Sequence, residues 1–255
     1  MGIEISDMHP EFRLNSPQGK AILALARGGD YAHPAEDKAL EYVSLRFPAK
    51  ESLHILDVGC GRGGSAYWFQ VHHFGHVTGL DIDQASIEYA QTRYPKVVFR
   101  QGDVSQLAQW DTPSFDVIYL LNSFYAFPNQ PLALQSLRKV AKPGTLLLIY
   151  DYTKKPGTPL PVELGTEIGN PIVNEDFALW LESSRWKIAS IDDLTDIYNE
   201  SYIQLLQKFQ LKRAEILHTW GHDWYDFIMM WYGTLQNSLA QRHLGGALFT
   251  AIAVE

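Results

Sequence analysis

At 255 residues, with 46% hydrophobic and 20% charged side chains, the chain is long enough for one large α/β domain with an insertion and lacks the composition of a disordered one. Its net charge of −8 argues against a surface that neutralises a phosphate backbone, which needs clustered Lys and Arg, so nucleic acid is not an expected partner. The single cysteine, Cys60, leaves no intrachain disulfide and fits a reducing, cytoplasmic compartment; neither a signal peptide at Met1 to Pro10 nor an apolar run of about 18 residues is visible, so membrane insertion is not expected.

In chain order, two helices are predicted over 17–27 and 34–47, separated by the loop Gly28-Gly29-Asp30-Tyr31-Ala32-His33. From Leu53 onward short apolar runs at 53–58, 77–81, 97–100, 115–121 and 145–150 alternate with helical patterns at 64–73, 84–93 and 131–141. That alternation predicts a doubly wound, mostly parallel, Rossmann-like sheet. After a proline- and glycine-rich loop over 154–171 come a helix near 174–184 and a strand at 186–192. A long helical stretch rich in aromatics then precedes the last apolar run, 247–254, expected as an antiparallel final strand. The expected organisation is a single domain: N-terminal helices in 1–50, a cofactor-binding core in 51–194, a helical substrate cap in 195–245 and a last core strand in 246–255.

The strongest motif is Asp57-Val58-Gly59-Cys60-Gly61-Arg62-Gly63-Gly64, an apolar strand running into a glycine-rich turn and a helix. Glycines let the backbone turn sharply and approach a ligand with no Cβ in the way. Gly59, Gly61 and Gly64 also fit the dinucleotide-binding spacing, so the turn alone leaves a nicotinamide-dependent oxidoreductase open. The second strand ends in Asp81-Ile82, about 20 residues on, where a carboxylate can accept hydrogen bonds from both ribose hydroxyls. The third ends in Gly102-Asp103-Val104, whose carboxylate suits an exocyclic amine.

Together with Val140-Ala141-Lys142-Pro143-Gly144-Thr145-Leu146-Leu147, these segments resemble, in order and spacing, four successive motifs of the class I S-adenosylmethionine-dependent methyltransferases. Thr145 departs from the pattern, standing where a second glycine is usual. Within that superfamily, Tyr31-Ala32-His33-Pro34 and the late insertion resemble the small-molecule group of quinone, tocopherol and sarcosine-type enzymes. The resemblance implies S-adenosylmethionine as cofactor, S-adenosylhomocysteine as product and a small-molecule methyl acceptor. It implies that Gly59, Cys60 and Gly61 pack against the methionine part with Asp57 fixing the turn. Asp81 would hold the ribose, Ile82 line the adenine, Gly102, Asp103 and Val104 read its edge, and Leu121-Asn122-Ser123 cover the sulfonium.

Methyl transfer demands alignment more than a fixed catalytic constellation, so the acceptor atom and any base stay open. Tyr31, His33, Tyr125, His218 and His222 are the candidates to orient the acceptor or take a proton, His218 and His222 sharing one helix face unless Gly221 interrupts it. The cluster His72-His73-x-x-His76 lacks carboxylates in ligand register, and no metal is expected. A non-catalytic S-adenosylmethionine-binding sensor or scaffold is the remaining alternative.

Overall fold

The computed structural model describes residues 12–49, 52–110, 114–165 and 167–255; the reading of Met1 to Pro10 lies outside them. In chain order the elements are α1 (Pro17–Arg27), α2 (Glu36–Ser44), β1 (Leu53–Val58), α3 (Gly64–Val71), β2 (Gly75–Asp81), α4 (Gln84–Arg93) and β3 (Val98–Gln101). There follow β4 (Phe115–Leu121), α5 (Gln130–Val140), β5 (Ala141–Thr153), α6 (Val162–Gly165), α7 (Asn174–Ser183) and β6 (Trp186–Asp193). The chain closes with α8 (Thr195–Leu211), α9 (Arg213–Trp220), α10 (His222–Ala240) and β7 (Gly245–Ala253).

Local chemistry sets several of these boundaries. Ser16 caps α1 by accepting from the Gly19 N–H, Pro17 supplies a preset first turn, and Gly28 ends the helix at φ 71°. Asp83 caps α4 and Asn129 caps α5 in the same way. The second helix starts later than Pro34, because Ala35 lies in the left-handed region at φ 67°. Strand β5 is longer than its apolar run: Lys142-Pro143-Gly144 bulges between the pairings Phe115 to Ala141 and Val117 to Leu146. Thr145 there donates its hydroxyl to the Phe115 carbonyl at 2.6 Å, at the start of β4 and away from the carboxyl edge.

The seven strands form one sheet in the order β3-β2-β1-β4-β5-β7-β6. Pairings among β3, β2, β1, β4 and β5 are parallel, and β7 is antiparallel to both β5 and β6. Alternate strand residues feed two cores. Leu56, Val58, Ile118, Leu120 and Ile149 pack with α5 and α7 residues such as Leu134 and Phe177. Ile55, Val117, Tyr119, Leu121, Tyr150 and Tyr152 pack on the other face with α1, α2, α3, α8 and α10. Because Tyr198, Tyr202, Phe209, Trp224, Trp231 and Tyr232 belong to that second cluster, the late helices share the sheet's own core. Gly221, at φ 90° and ψ 177°, breaks the chain between α9 and α10, so His218 and His222 do not share a helix face. Among the described residues no helix is long and apolar enough to cross a membrane.

Candidate functional site

The site is built where β1 runs out. Gly59, at φ 76°, sits so close to the segment after β4 that a Cβ would lie 2.4 Å from the Ser123 Cβ, so this position requires glycine twice over. Its N–H and that of Cys60 both donate to the Leu80 carbonyl, at 2.7 and 3.0 Å, which bolts the turn to β2. At Gly61, φ 51°, a Cβ would meet no atom of the described residues within 4 Å: among them the turn is open on that side. A side chain at Gly64, by contrast, would strike the Asp30 carbonyl, so the loop between α1 and α2 lies directly on the start of α3.

Asp81 joins the first two strand ends. Its Oδ2 accepts from the Gly61 N–H at 2.7 Å and its Oδ1 from the Asp83 N–H at 2.9 Å, while the side chain stays only half-buried. The next residue, Ile82, is 66% exposed, a large apolar side chain at a sheet edge left largely uncovered by the described residues. Asp103 accepts from the Ser105 N–H at 2.8 Å, capping the 3₁₀ turn Val104–Gln109, and is also half-buried. On the other side of β1, the Ser123 hydroxyl donates to the Val58 carbonyl at 2.6 Å. Asn122, at φ 51°, accepts the Tyr198 hydroxyl at 3.0 Å and keeps a buried Nδ2 with no partner among the described residues. The glycine turn, Asp81-Ile82, Gly102-Asp103-Val104 and Leu121-Asn122 therefore meet along one carboxyl edge, where open α/β sheets bind ligands.

Asp57 lies beneath the turn. It is buried, its Oδ2 has no hydrogen-bond partner among the described residues, and burial pushes its carboxyl up to about 8, with the nearby Tyr119 hydroxyl opposing and the Asp81 charge adding. The turn's amides are held by Leu80 and Asp81, which leaves Asp57 with acceptor capacity unspent.

Several residues that motif spacing could not reveal complete the site. Lys20 of α1 pairs with Asp83 at 2.6 Å, fastening α1 across the end of β2. Asp30 accepts the Tyr94 hydroxyl at 2.7 Å and pairs with Arg62 at 3.0 Å, pinning the α1–α2 loop to α3 and α4. Asp151, fully buried on β5, accepts from the N–H groups of Phe124 and Tyr152 at 2.7 Å and of Tyr125 at 3.2 Å. It thereby fixes the turn after β4; burial raises its carboxyl to about 7 against those hydrogen bonds. A lone acid in an apolar strand carries no spacing signal.

The acceptor candidates are dispersed. His33 is 1% exposed, its ring nitrogens 3.0 Å from Ser65 Oγ and 3.2 Å from the Pro34 carbonyl, and burial lowers its imidazole to about 4. It ties the loop to α3. Tyr31 is half-buried in a cleft of about 880 Å³ between α1–α2 and α8, its phenol raised above the ordinary range by burial and by Asp37. Tyr125 packs edge-on against Tyr152, 5.3 Å between centroids. His218 and His222 are exposed on α9 and α10. His72 closes α3 by reaching the Trp68 carbonyl at 2.8 Å.

Residues 56–149 match a family described as a methyltransferase domain. A phosphoethanolamine N-methyltransferase of Triticum aestivum is 28% identical over 211 residues, covering 78% of this chain and 41% of that protein, so the chain spans about two fifths of its length. A Haemonchus contortus phosphoethanolamine N-methyltransferase 2, solved with phosphomonomethylethanolamine and S-adenosylhomocysteine, superposes with a TM-score of 0.84 at 17% identity, over 100% of this chain and 61% of that one. The [4+2]-cyclase SpnF superposes with a TM-score of 0.77 at 18% identity, over 94% and 93% of the two chains, so the fold by itself does not name a reaction. Motif order, sheet topology and the matched family agree on residues 56–149, which carry a methyltransferase domain of the class I type.

Proposed function

We propose that the chain binds S-adenosylmethionine along the ends of β1 to β4 and transfers its methyl group to a small-molecule acceptor. The observation that carries this reading is the Gly59–Gly61 turn, open above Gly61 and hydrogen-bonded to a half-exposed Asp81. The donor set fits such a cofactor. A methionine end rich in hydrogen-bond donors suits the unspent acceptor oxygen of Asp57, and a flat heterocycle suits the bare Ile82. In this assignment Gly59, Cys60 and Gly61 face the methionine part, Asp81 holds the ribose, Gly102, Asp103 and Val104 read the adenine edge, and Leu121 and Asn122 lie along the sulfonium.

The cofactor supplies a methyl group already activated by its sulfonium. The chain's own residues align the acceptor and exclude water. Tyr31 and Tyr125 have phenols held above their ordinary range by burial, so both stay protonated near neutral pH and orient an acceptor by hydrogen bonding. His33 is neutral there, and its ring is committed to Ser65 and Pro34. Residues 51–194 form the cofactor core in this reading, and 195–245 the substrate cap. The acceptor enters by the cleft that holds Tyr31.

An oxidoreductase reading is disfavoured by topology: the dinucleotide fold winds its strands 3-2-1-4-5-6 in parallel, whereas here β7 enters antiparallel between β5 and β6. Calorimetry should show binding of S-adenosylmethionine and S-adenosylhomocysteine and none of NAD; the reverse pattern sinks the proposal. Release of S-adenosylhomocysteine across a panel of amines, phenols and quinones then identifies the acceptor. Tight binding with no turnover on any of them would point to a sensor or scaffold.

A further inference from the structure

A small cavity of about 210 Å³ lies where β5 and β6 run out and β7 begins, beside the start of α8. Its lining carries three cations, Lys154, Lys155 and Arg242, against one carboxylate, Asp193, in a chain whose net charge is −8. That carboxylate is already spent. It accepts from the Thr195 N–H at 2.8 Å and from the Thr195 hydroxyl, closing an Asx turn at the start of α8. Arg242 pairs with Asp196 at 2.7 Å, but both side chains are exposed, so the pair is worth little. Lys154 and Lys155 have no carboxylate partner among the described residues.

These groups are reachable from solvent, since Lys154 is half-buried and Lys155 exposed. The loop that carries them is nevertheless held in place. Lys154 donates its N–H to the Ile172 carbonyl at 2.9 Å, and Thr158 donates to the Lys155 carbonyl at 3.2 Å. Behind them, a Cβ on Gly245 would lie 2.6 Å from Thr153 Oγ1 and 2.8 Å from Thr195 Oγ1, so two hydroxyls converge over a glycine floor. The Thr153 hydroxyl has no hydrogen-bond partner among the described residues. At the rim, Asn174 opens the ten-residue helix α7, which has no side-chain cap at Val173; Glu175 and Asp176 follow in its first turn but do not line the cavity. Donors and positive charge are thus gathered around a space with hardly an acceptor left. Its volume is below the roughly 300–1,000 Å³ of a drug-sized pocket and suits a small ligand, and two unpaired ammonium groups match an oxyanion of charge near −2 with several acceptor oxygens.

We propose that this cavity binds a phosphate group, held by Lys154 and Lys155 with Arg242 and the Thr153 hydroxyl. Because β7 lies two strand positions from β4, about 10 Å, the phosphate would share the sheet edge with the proposed cofactor without touching it. The test is calorimetry on the full chain at constant ionic strength made up with chloride, so that screening does not change between titrations. Inorganic phosphate should bind saturably with a Kd below about 10 mM, and the double variant Lys154→Met, Lys155→Met should weaken it at least about tenfold. Asp193→Asn keeps an acceptor for the Thr195 N–H and removes the one negative charge, so phosphate affinity should rise severalfold, which no folding defect produces. S-adenosylhomocysteine should bind both variants as it binds the parent. Phosphoethanolamine binding more tightly than inorganic phosphate would assign the site to a phosphate ester, and equal or weaker binding to free phosphate; either supports the proposal. No saturable phosphate binding, binding unchanged in the double variant, or no gain in Asp193→Asn overturns it. Loss of S-adenosylhomocysteine together with phosphate in the double variant overturns a site separate from the cofactor edge.

Discussion

Two glycines two residues apart do different work, and their substitution separates stability from binding. At Gly59 a methyl group would overlap Ser123 as well as force a positive φ, so Gly59→Ala should cost roughly 2 kcal/mol or more of stability. Gly61→Ala meets no protein atom, so it should cost about 1 kcal/mol from backbone strain yet lower S-adenosylhomocysteine affinity, since its methyl projects from the open side of the turn. Chemical denaturation and calorimetry on both variants check this; equal effects on affinity would take the ligand away from Gly61. Asp81→Ala should weaken cofactor binding by about 1.5–3 kcal/mol, the usual worth of hydrogen bonds to a charged group. The buried acid Asp57 sets a pH dependence. Its folded value of about 8 lies above the ordinary 3.8, so the native state holds a proton that the unfolded chain has lost. Stability from this group is full below pH about 4 and falls as pH rises to about 8. Asp57→Asn should therefore flatten the decline of Tm between those limits; an unchanged slope would show that Asp57 is not the group responsible.

At the level of elements, α8 is what closes the structure over the end of β4. Its Tyr198 hydroxyl reaches Asn122 and its ring lies 4.9 Å from Tyr150, so one helix holds both the turn after β4 and the wall of the cleft. Tyr198→Phe leaves Asn122 Oδ1 without that donor in a buried position and should cost about 1–3 kcal/mol. If Asn122 lies along the sulfonium, the same variant should also slow methyl transfer more than it weakens cofactor binding. Equal losses in both would assign Tyr198 a purely structural role. The helices themselves were legible: Ser16-Pro17, Asp83 and Asn129 are capping chemistry that a sequence displays, and Gly28 marks a stop. The break at Gly221 was not, because a glycine inside a helical pattern is compatible with continuation and only the packing of α9 and α10 decides.

For the molecule as a whole, a ligand that binds only the folded state stabilises it by mass action, about 2.7 kcal/mol at a hundredfold excess over Kd. For a chain of this size S-adenosylhomocysteine at that excess should raise Tm by roughly 5–10 °C, and no shift would contradict binding at the sheet edge. The sequence by itself determined the parallel sheet, the glycine turn after β1 and the acidic residues at the ends of β2 and β3. Strand periodicity, glycine φ requirements and caps are local physics, written within a few residues of where they act. Tertiary structure alone decided that Lys20, Asp30 and Asp151 pin the segments around the strand ends, that His33 is buried against α3, and that Glu36 takes both Arg27 and Lys208. Those partners lie far apart in the chain. A charge has no periodicity to announce its partner, so only the docking of α1, α2 and α8 on one face of the sheet brings these groups within hydrogen-bonding distance.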